Sequence, residues 1–362
     1  MRYSSRVLVG HPSHSDQLRM KTPQHIDHHL SAPPRLRGEN LLSFPSPRPN
    51  LTRGERTVTV GPAMRATDRS FGAVTVLVGE KTGKYPDGNS MLVRGRDAQL
   101  LADPSLSVSE RAAELGQVDL VVQSHVHEDH VAGLHRFPRA AVRAHREDLL
   151  GLHGIDGLMT IYGYEEAGSD GARAWVTDKF HYVARPDAEP YEDGARFDLG
   201  GAVVRAIHLP GHTRGHCALL AEPDGVLFLG DIELSGFGPY YGDAWSSLED
   251  FERSLARVRD LPARVWVSFH HAGVITERAA FLAKLDRFAA RIGERERALL
   301  DFLAAPRSLD ELVAHRFLYP STAQMSFIDA AERRTIRQHL DRLIADGRAE
   351  QCESGRWIRT GA

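Results

Sequence analysis

The chain has 362 residues, a formal net charge of −3 and a pI near 6.7. That length suffices for a large core with a second domain, and the near-balanced charge supplies no general basic field for nucleic acid or an anionic membrane. Two cysteines, Cys217 and Cys352, cannot form a disulfide framework. They suit a reducing compartment, so the cytoplasm is the expected location.

No apolar run approaches the roughly 18 residues that a membrane span needs, and none follows the N-terminal arginines to make a signal peptide. Residues 1–63 are rich in Pro, Ser, Arg and His, with Ser31-Ala32-Pro33-Pro34 and Phe44-Pro45-Ser46-Pro47-Arg48-Pro49 breaking any period. This composition predicts a disordered extension, in which His25-Ile26-Asp27-His28-His29 has no flanking element to hold it as a site. Met64 opens the first globular-looking sequence.

From Gly72 the pattern is strand, turn, strand: 73–78, a Gly/Pro/Asp loop through Gly83, Pro86 and Gly88, then 90–93. A third strand over 98–102 ends at Asp103-Pro104. The Asp103 carboxylate is therefore either a cap before a helix over 108–116 or part of a site.

The short β-branched run 118–122 reads as a buried strand. It delivers Gln123-Ser124-His125-Val126-His127-Glu128-Asp129-His130 where the chain leaves the sheet. Imidazole and carboxylate are ligands that a borderline cation such as zinc prefers. Alternation places His125 and His127 on one side, and Asp129 and His130 can turn the other way, so one segment can serve two neighbouring metals.

A strand over 139–145, a helical segment to about 153 and a weakly patterned stretch follow. Strands at 197–198 and 202–209 then lead to Pro210-Gly211-His212-Thr213-Arg214-Gly215-His216-Cys217, whose Pro-Gly pair forces a tight turn that projects His212 over the sheet edge. A buried strand over 225–230 ends in Asp231, and 264–269 runs into His270-His271-Ala272-Gly273. Five strand ends thus carry Asp or His, and helices over 248–260 and 276–291 make the region an α/β layered domain.

Residues 294–362 differ in character. Helices at 296–303, 309–317 and 330–346 and a hairpin from 349 to 359 give a winged-helix pattern. Its eleven Arg balance eleven Asp plus Glu, with no Lys. Without a basic footprint, packing or homodimer formation is favoured over nucleic-acid reading.

Together, Asp103, His125-x-His127-x-Asp129-His130, His212, Asp231 and His271 resemble the metallo-β-lactamase superfamily of hydrolases, in the family's order over roughly 72–291. The tail is similar to that of the lactamase-β-2 branch. The resemblance implies an αββα sandwich catalytic domain over 64–292 and a small winged-helix-like domain over 293–362.

It also implies two zinc ions, with manganese or iron as alternatives. His125, His127 and His212 would hold the first, Asp129, His130 and His271 the second, with Asp231 bridging. For the last ligand His271 is preferred to His270, because the turn aligns on the second histidine. Asp103 is implied to orient a ligand histidine, and His216 is not a ligand.

Aspartate at 231, where β-lactamases proper have cysteine or serine, resembles glyoxalase II, lactonases and metallo-ribonucleases. The implied chemistry is attack by a metal-bridging hydroxide on a small ester, thioester or lactone. The alternatives are a metallo-endoribonuclease or phosphodiesterase, a mononuclear iron enzyme of the persulfide-dioxygenase type, and a binding module without turnover. The loop 234–243 is expected to overhang the metals, with Tyr240 or Tyr241 orienting substrate.

Overall fold

The computed structural model describes residues 41–42, 67–164, 170–323 and 327–361. The expected N-terminal extension lies outside them, apart from β1 (Leu41–Leu42). Two seven-stranded mixed sheets form the centre of the fold.

The first sheet takes its strands in chain order: β2 (Arg69–Phe71), β3 (Val74–Leu77), β4 (Ser90–Arg94), β5 (Gln99–Ala102), β6 (Leu120–Val122), β7 (Ala141–His145) and β8 (Glu189–Tyr191). The second sheet begins with β1, followed by β9 (Arg196–Asp198), β10 (Val203–His208), β11 (Cys217–Glu222), β12 (Val226–Phe228), β13 (Val265–Val267) and β14 (Val274–Ile275).

Strand alternation explains the layers. In β5, Leu100 faces the interior between the sheets, where Val76, Val93, Val122, Val204, Leu219, Phe228 and Val267 are buried with it. Its neighbour Leu101 faces outward into the cluster with Val121, Val142, Leu158 and Val176. That outer face is covered by α1 (Leu106–Arg111), α2 (Leu150–His153), α3 (Ile155–Tyr162) and α4 (Asp170–Phe180). The second sheet turns Leu220, Leu227 and Trp266 outward against α5 (Leu248–Val258) and α6 (Arg278–Phe302), where Trp266 stacks on Phe281 at 4.7 Å. The result is the expected four-layer αββα sandwich.

Strand direction gathers the polar strand ends at one edge. Strands β5 and β6 are parallel, as are β12 and β13, and β10 lies two antiparallel steps from β12, so it runs the same way. Asp103, His125–His130, His212, Asp231 and His270 follow the C-terminal ends of these five strands.

The expected division at 292 falls inside α6, which runs unbroken from Arg278 to Phe302 rather than as two helices. Gly293 does not end it, because Phe288, Ile292 and Leu299 are buried on one side of the helix across that point. The far end of α6 carries Leu299 and Leu303 into a cluster with Leu312 of α7 (Leu309–His315), Ile336 and Leu340 of α8 (Ile328–Ala345) and Ala349 of the hairpin β15 (Ala349–Gln351) and β16 (Trp357–Arg359).

Glu296 of α6 ties this assembly together. It meets His339 and Arg342 of α8 and Arg348 beyond it. His339, helped by Arg348 and Arg342 and opposed by burial, holds its carboxyl down to about 2 from an ordinary 4.5. A carboxyl lowered on folding contributes stability above 4.5 that is lost as pH falls towards 2. Thermal unfolding followed from pH 5 to 2 should therefore lose less in Glu296→Gln than in the wild type.

Candidate metal centre

Asp103 ends β5 with a φ of +45°, an uncommon backbone for a side-chain-bearing residue. Its fully buried carboxylate accepts from Ser124 N at 2.6 Å and from Ser124 Oγ, and its Oδ2 lies 2.7 Å from His130 Nδ1. It does not cap α1, whose N-cap position is Ser105. Donation from Nδ1–H to this carboxylate fixes the His130 ring and turns Nε2 into the cluster.

Two groups of donor atoms converge beside it. His127 Nδ1 lies 3.2 Å from His125 Nε2 and 3.0 Å from His212 Nε2, and His212 Nε2 lies 3.2 Å from Asp231 Oδ2. The other oxygen of Asp231, Oδ1, is 3.0 Å from His130 Nε2 and 3.9 Å from His270 Nε2. Asp129 Oδ2 is 2.9 Å from His270 Nε2, and its Oδ1 is 3.9 Å from His130 Nε2. Within the set His125, His127, His212 and Asp231, and within the set Asp129, His130 and His270, the donor atoms lie within 4.8 Å of one another. Asp231 thus offers one oxygen to each group.

The last histidine corrects the sequence reading. His270, not His271, joins Asp129 and His130. After β13 the chain reverses through Phe269–Gly273, with Ser268 Oγ bonded to the His270 carbonyl at 2.6 Å and to Gly273 N at 3.0 Å. His271 takes the left-handed corner of this turn at φ +55°, which throws its side chain outward. Its imidazole is 38% exposed and its Nε2 is 3.9 Å from Glu233. His270 is buried and donates from Nδ1 to the Gly83 carbonyl at 2.9 Å.

Charge in the cluster works against burial. Burial raises the Asp231 carboxyl, but His130 and His270 bring it well below the usual range. Burial lowers His130, yet Asp231, Asp129 and Asp103 hold it well above its ordinary value. His270 is likewise raised, to about 10, by Asp231 and Asp129. His125, by contrast, is pushed well below by burial and by the neighbouring His130, His127 and His212. These carboxylates hold protons on the facing imidazoles, and a divalent cation at the same point would displace them. The all-N,O donor set suits zinc and also fits manganese or iron.

His216 lies outside both sets. Its Nδ1 donates to Leu209 O at 2.9 Å and its Nε2 accepts from Asp231 N at 3.1 Å, which fixes the backbone of that carboxylate. Burial, with His212, brings it to about 3, so it stays neutral.

Loop 234–243 divides the two expected tyrosines. Tyr240 donates its hydroxyl to Asp243 Oδ1 at 2.9 Å, and its carbonyl accepts from His212 Nδ1 at 3.0 Å. Tyr241 is fully buried in the second outer core, with its hydroxyl 2.9 Å from His339 Nε2. It therefore cannot meet a substrate, contrary to expectation. Tyr241→Phe should leave turnover within about twofold and lower unfolding free energy by about 1 kcal/mol, the worth of one hydrogen bond, in denaturant titration.

Three further residues around the cluster were not among the expected site residues. Asp243 Oδ2 lies 3.1 Å from His127 Nε2. Asp148 accepts from Thr213 Oγ1 and from Gly215 N at 2.8 Å, holding the turn that carries His212. Glu128, inside the histidine motif, takes the hydroxyls of Tyr162 and, at 3.1 Å, of Tyr85. Only the last offered a signal, its place between two expected ligands.

Residues 85–287 match the profile of the metallo-beta-lactamase superfamily. The chain is 24% identical over 300 residues to a beta-lactamase-like protein 2 homolog of Caenorhabditis elegans, a match covering 79% of this chain and 90% of that one. It is 29% identical over 175 residues to an acyl-coenzyme A thioesterase of Bos taurus, covering 42% of this chain and 61% of the relative. The crystal structure of a metallo-beta-lactamase family protein from Thermus thermophilus superposes with a TM-score of 0.59 and 27% identity, over 80% of this chain and 99% of that one.

Proposed function

This chain belongs to the metallo-β-lactamase superfamily of hydrolases, and from that premise we propose that it is a dinuclear zinc hydrolase of a small thioester, ester or lactone. The observation that carries the reading is the pair of donor sets sharing Asp231, one carboxylate oxygen facing each. His125, His127 and His212 would hold the first ion and Asp129, His130 and His270 the second. Two such cations, when bound, lower the pKa of a water to near neutrality and polarise the carbonyl under attack.

The chain's own residues orient and hold. Asp103 fixes His130, Tyr240 O fixes His212, and His216 fixes Asp231, so the donor lone pairs converge without rearrangement. Tyr85, 40% exposed with its ring 5.9 Å from that of His270, supports a role as an aromatic substrate contact beside the second donor set. Thioesters are favoured within the class by the likeness to a relative named as an acyl-coenzyme A thioesterase.

The ribonuclease alternative is weakened by the use the tail makes of its basic residues. Arg334 reaches the Gly163 and Gly242 carbonyls, Arg333 pairs with Asp310, and Arg342 with Glu252 and Glu296. Among the described residues, no helix is long and apolar enough to cross a membrane.

Elemental analysis of the purified protein tests the reading. About two zinc or manganese ions per chain are expected, falling in His127→Ala and Asp231→Ala. About one iron per chain would move the assignment to an oxygenase of the persulfide type, and no metal in any preparation would overturn it.

A further inference from the structure

The stretch Phe237–Gly242 has neither helix nor strand, so its carbonyls need donors from elsewhere. The C-terminal helices supply them. Arg295 of α6 donates to Phe237 O at 2.6 Å and to Pro239 O. Gln338 of α8 donates to Tyr241 O at 2.9 Å, while its own oxygen accepts from Leu248 N, at the start of α5, at 2.6 Å. Arg334 reaches Gly242 O at 3.3 Å, and His339 takes the Tyr241 hydroxyl. The fit is close: a Cβ on Gly242 would stand 2.9 Å from that of Ala331 in α8.

The same loop ends on two of the metal-facing histidines. Tyr240 O accepts from His212 Nδ1, leaving Nε2 to face the cluster. Asp243 Oδ2 stands 3.1 Å from His127 Nε2 while His127 Nδ1 faces His125 and His212, and the Tyr240 hydroxyl holds Asp243 from the other side. The tautomer and ring angle of His212 are therefore set by a loop that α8 holds, and the same loop brings the Asp243 carboxylate beside the His127 ring.

We propose that α8 is a positioning element of the metal centre, acting through Gln338 and Arg334 on loop 237–243 and from there on His127 and His212. The proposal rests on the metal reading above and adds a role for the C-terminal segment that its apolar packing on α6 does not require.

The test compares Gln338→Ala, Gln338→Glu, Arg334→Ala and the Gln338→Ala/Arg334→Ala pair with Arg348→Ala, which removes a Glu296 ion pair and no direct contact with the loop. Gln338→Glu keeps the acceptor for Leu248 N, loses the donor to Tyr241 O, and carries the test should the alanine variants fold poorly. Zinc affinity of the apo 362-residue chain is read by chelator competition, the absorption bands of the cobalt-substituted protein report ligand geometry, and each variant's unfolding temperature is recorded beside them.

Zinc affinity about tenfold weaker in the loop-holding variants, with shifted cobalt bands, is expected, while Arg348→Ala keeps both at the wild-type level even where it melts earlier. Wild-type affinity and spectrum in Gln338→Glu and in the double variant, with only the melting temperature lowered, would reduce α8 to a packing element. A wild-type chain that takes up no zinc or cobalt would instead overturn the metal reading itself.

Discussion

His270→Ala is expected to release one of the two metals and to lower turnover by more than about 100-fold, beyond the 10–100-fold that outer partners of a metal ligand cost. His271→Ala should keep the full metal content. The adjacent histidines differ in where the chain sends them. His270 is held by its Nδ1 bond to Gly83 O, and Nε2 reaches Asp129 and Asp231. His271 occupies the left-handed corner and points to solvent beside Glu233.

His270→Ala also leaves Asp129 and Asp231 facing one another without the imidazole that helps keep both ionised, so repulsion adds to the lost donor. Metal content by elemental analysis and turnover on a thioester distinguish the two variants. Equal loss in both, or a larger loss in His271→Ala, would mean that the turn rearranges on metal binding.

That pair also shows where a sequence stops being legible. Asp103, His125, His127, Asp129, His130, His212 and Asp231 could each be placed because a β-branched or apolar run sets a strand and the polar residue follows its end. Position within a turn is different. The choice between His270 and His271 depends on which residue takes the positive φ, and that is fixed by Ser268 Oγ and by Asn89, which bonds Phe269 O and Ser268 O from a loop far away in the chain.

Asp243 was hidden for a related reason. Its partner His127 is brought to it only by the closing of both sheets and the docking of α8. The division expected near residue 292 lies beside Gly293, whose helix preference is only about 1 kcal/mol below that of alanine. The burial of Phe281, Leu285, Phe288, Ile292 and Leu299 along one helix outweighs a term of that size.

The tight turn of Pro210-Gly211-His212 gives the second large effect, Gly211→Ala. Gly211 has a φ of +133°, where side-chain-bearing residues rarely sit, and its Cβ would stand 2.3 Å from both N and Cα of Phe251. Those are backbone atoms of α5, so no rotamer change relieves the clash. The helix is also tied to the turn on either side, Ser247 N to Gly211 O at 2.9 Å and Ser254 Oγ to Pro210 O at 2.7 Å.

Backbone strain of about 1–3 kcal/mol and overpacking of about 1–3 kcal/mol add to a loss of roughly 2–6 kcal/mol, a large share of a typical folding free energy. An unfolding temperature lower by about 3–8 °C is expected for a chain of this size. The next residue is His212, so any shift that lets α5 withdraw also moves His212 Nε2 from its 3.0 Å approach to His127 and loosens its Nδ1 bond to Tyr240 O. Zinc should therefore be lost in chelator competition below the melting transition, at temperatures where circular dichroism still reports folded protein. Gly236→Ala, where a Cβ meets nothing within 4 Å, is the matched control and should leave both stability and zinc uptake in place. Gly211→Ala melting like the control would mean that α5 yields to the turn, and the position of His212 would then depend on Asp148 and Tyr240 alone.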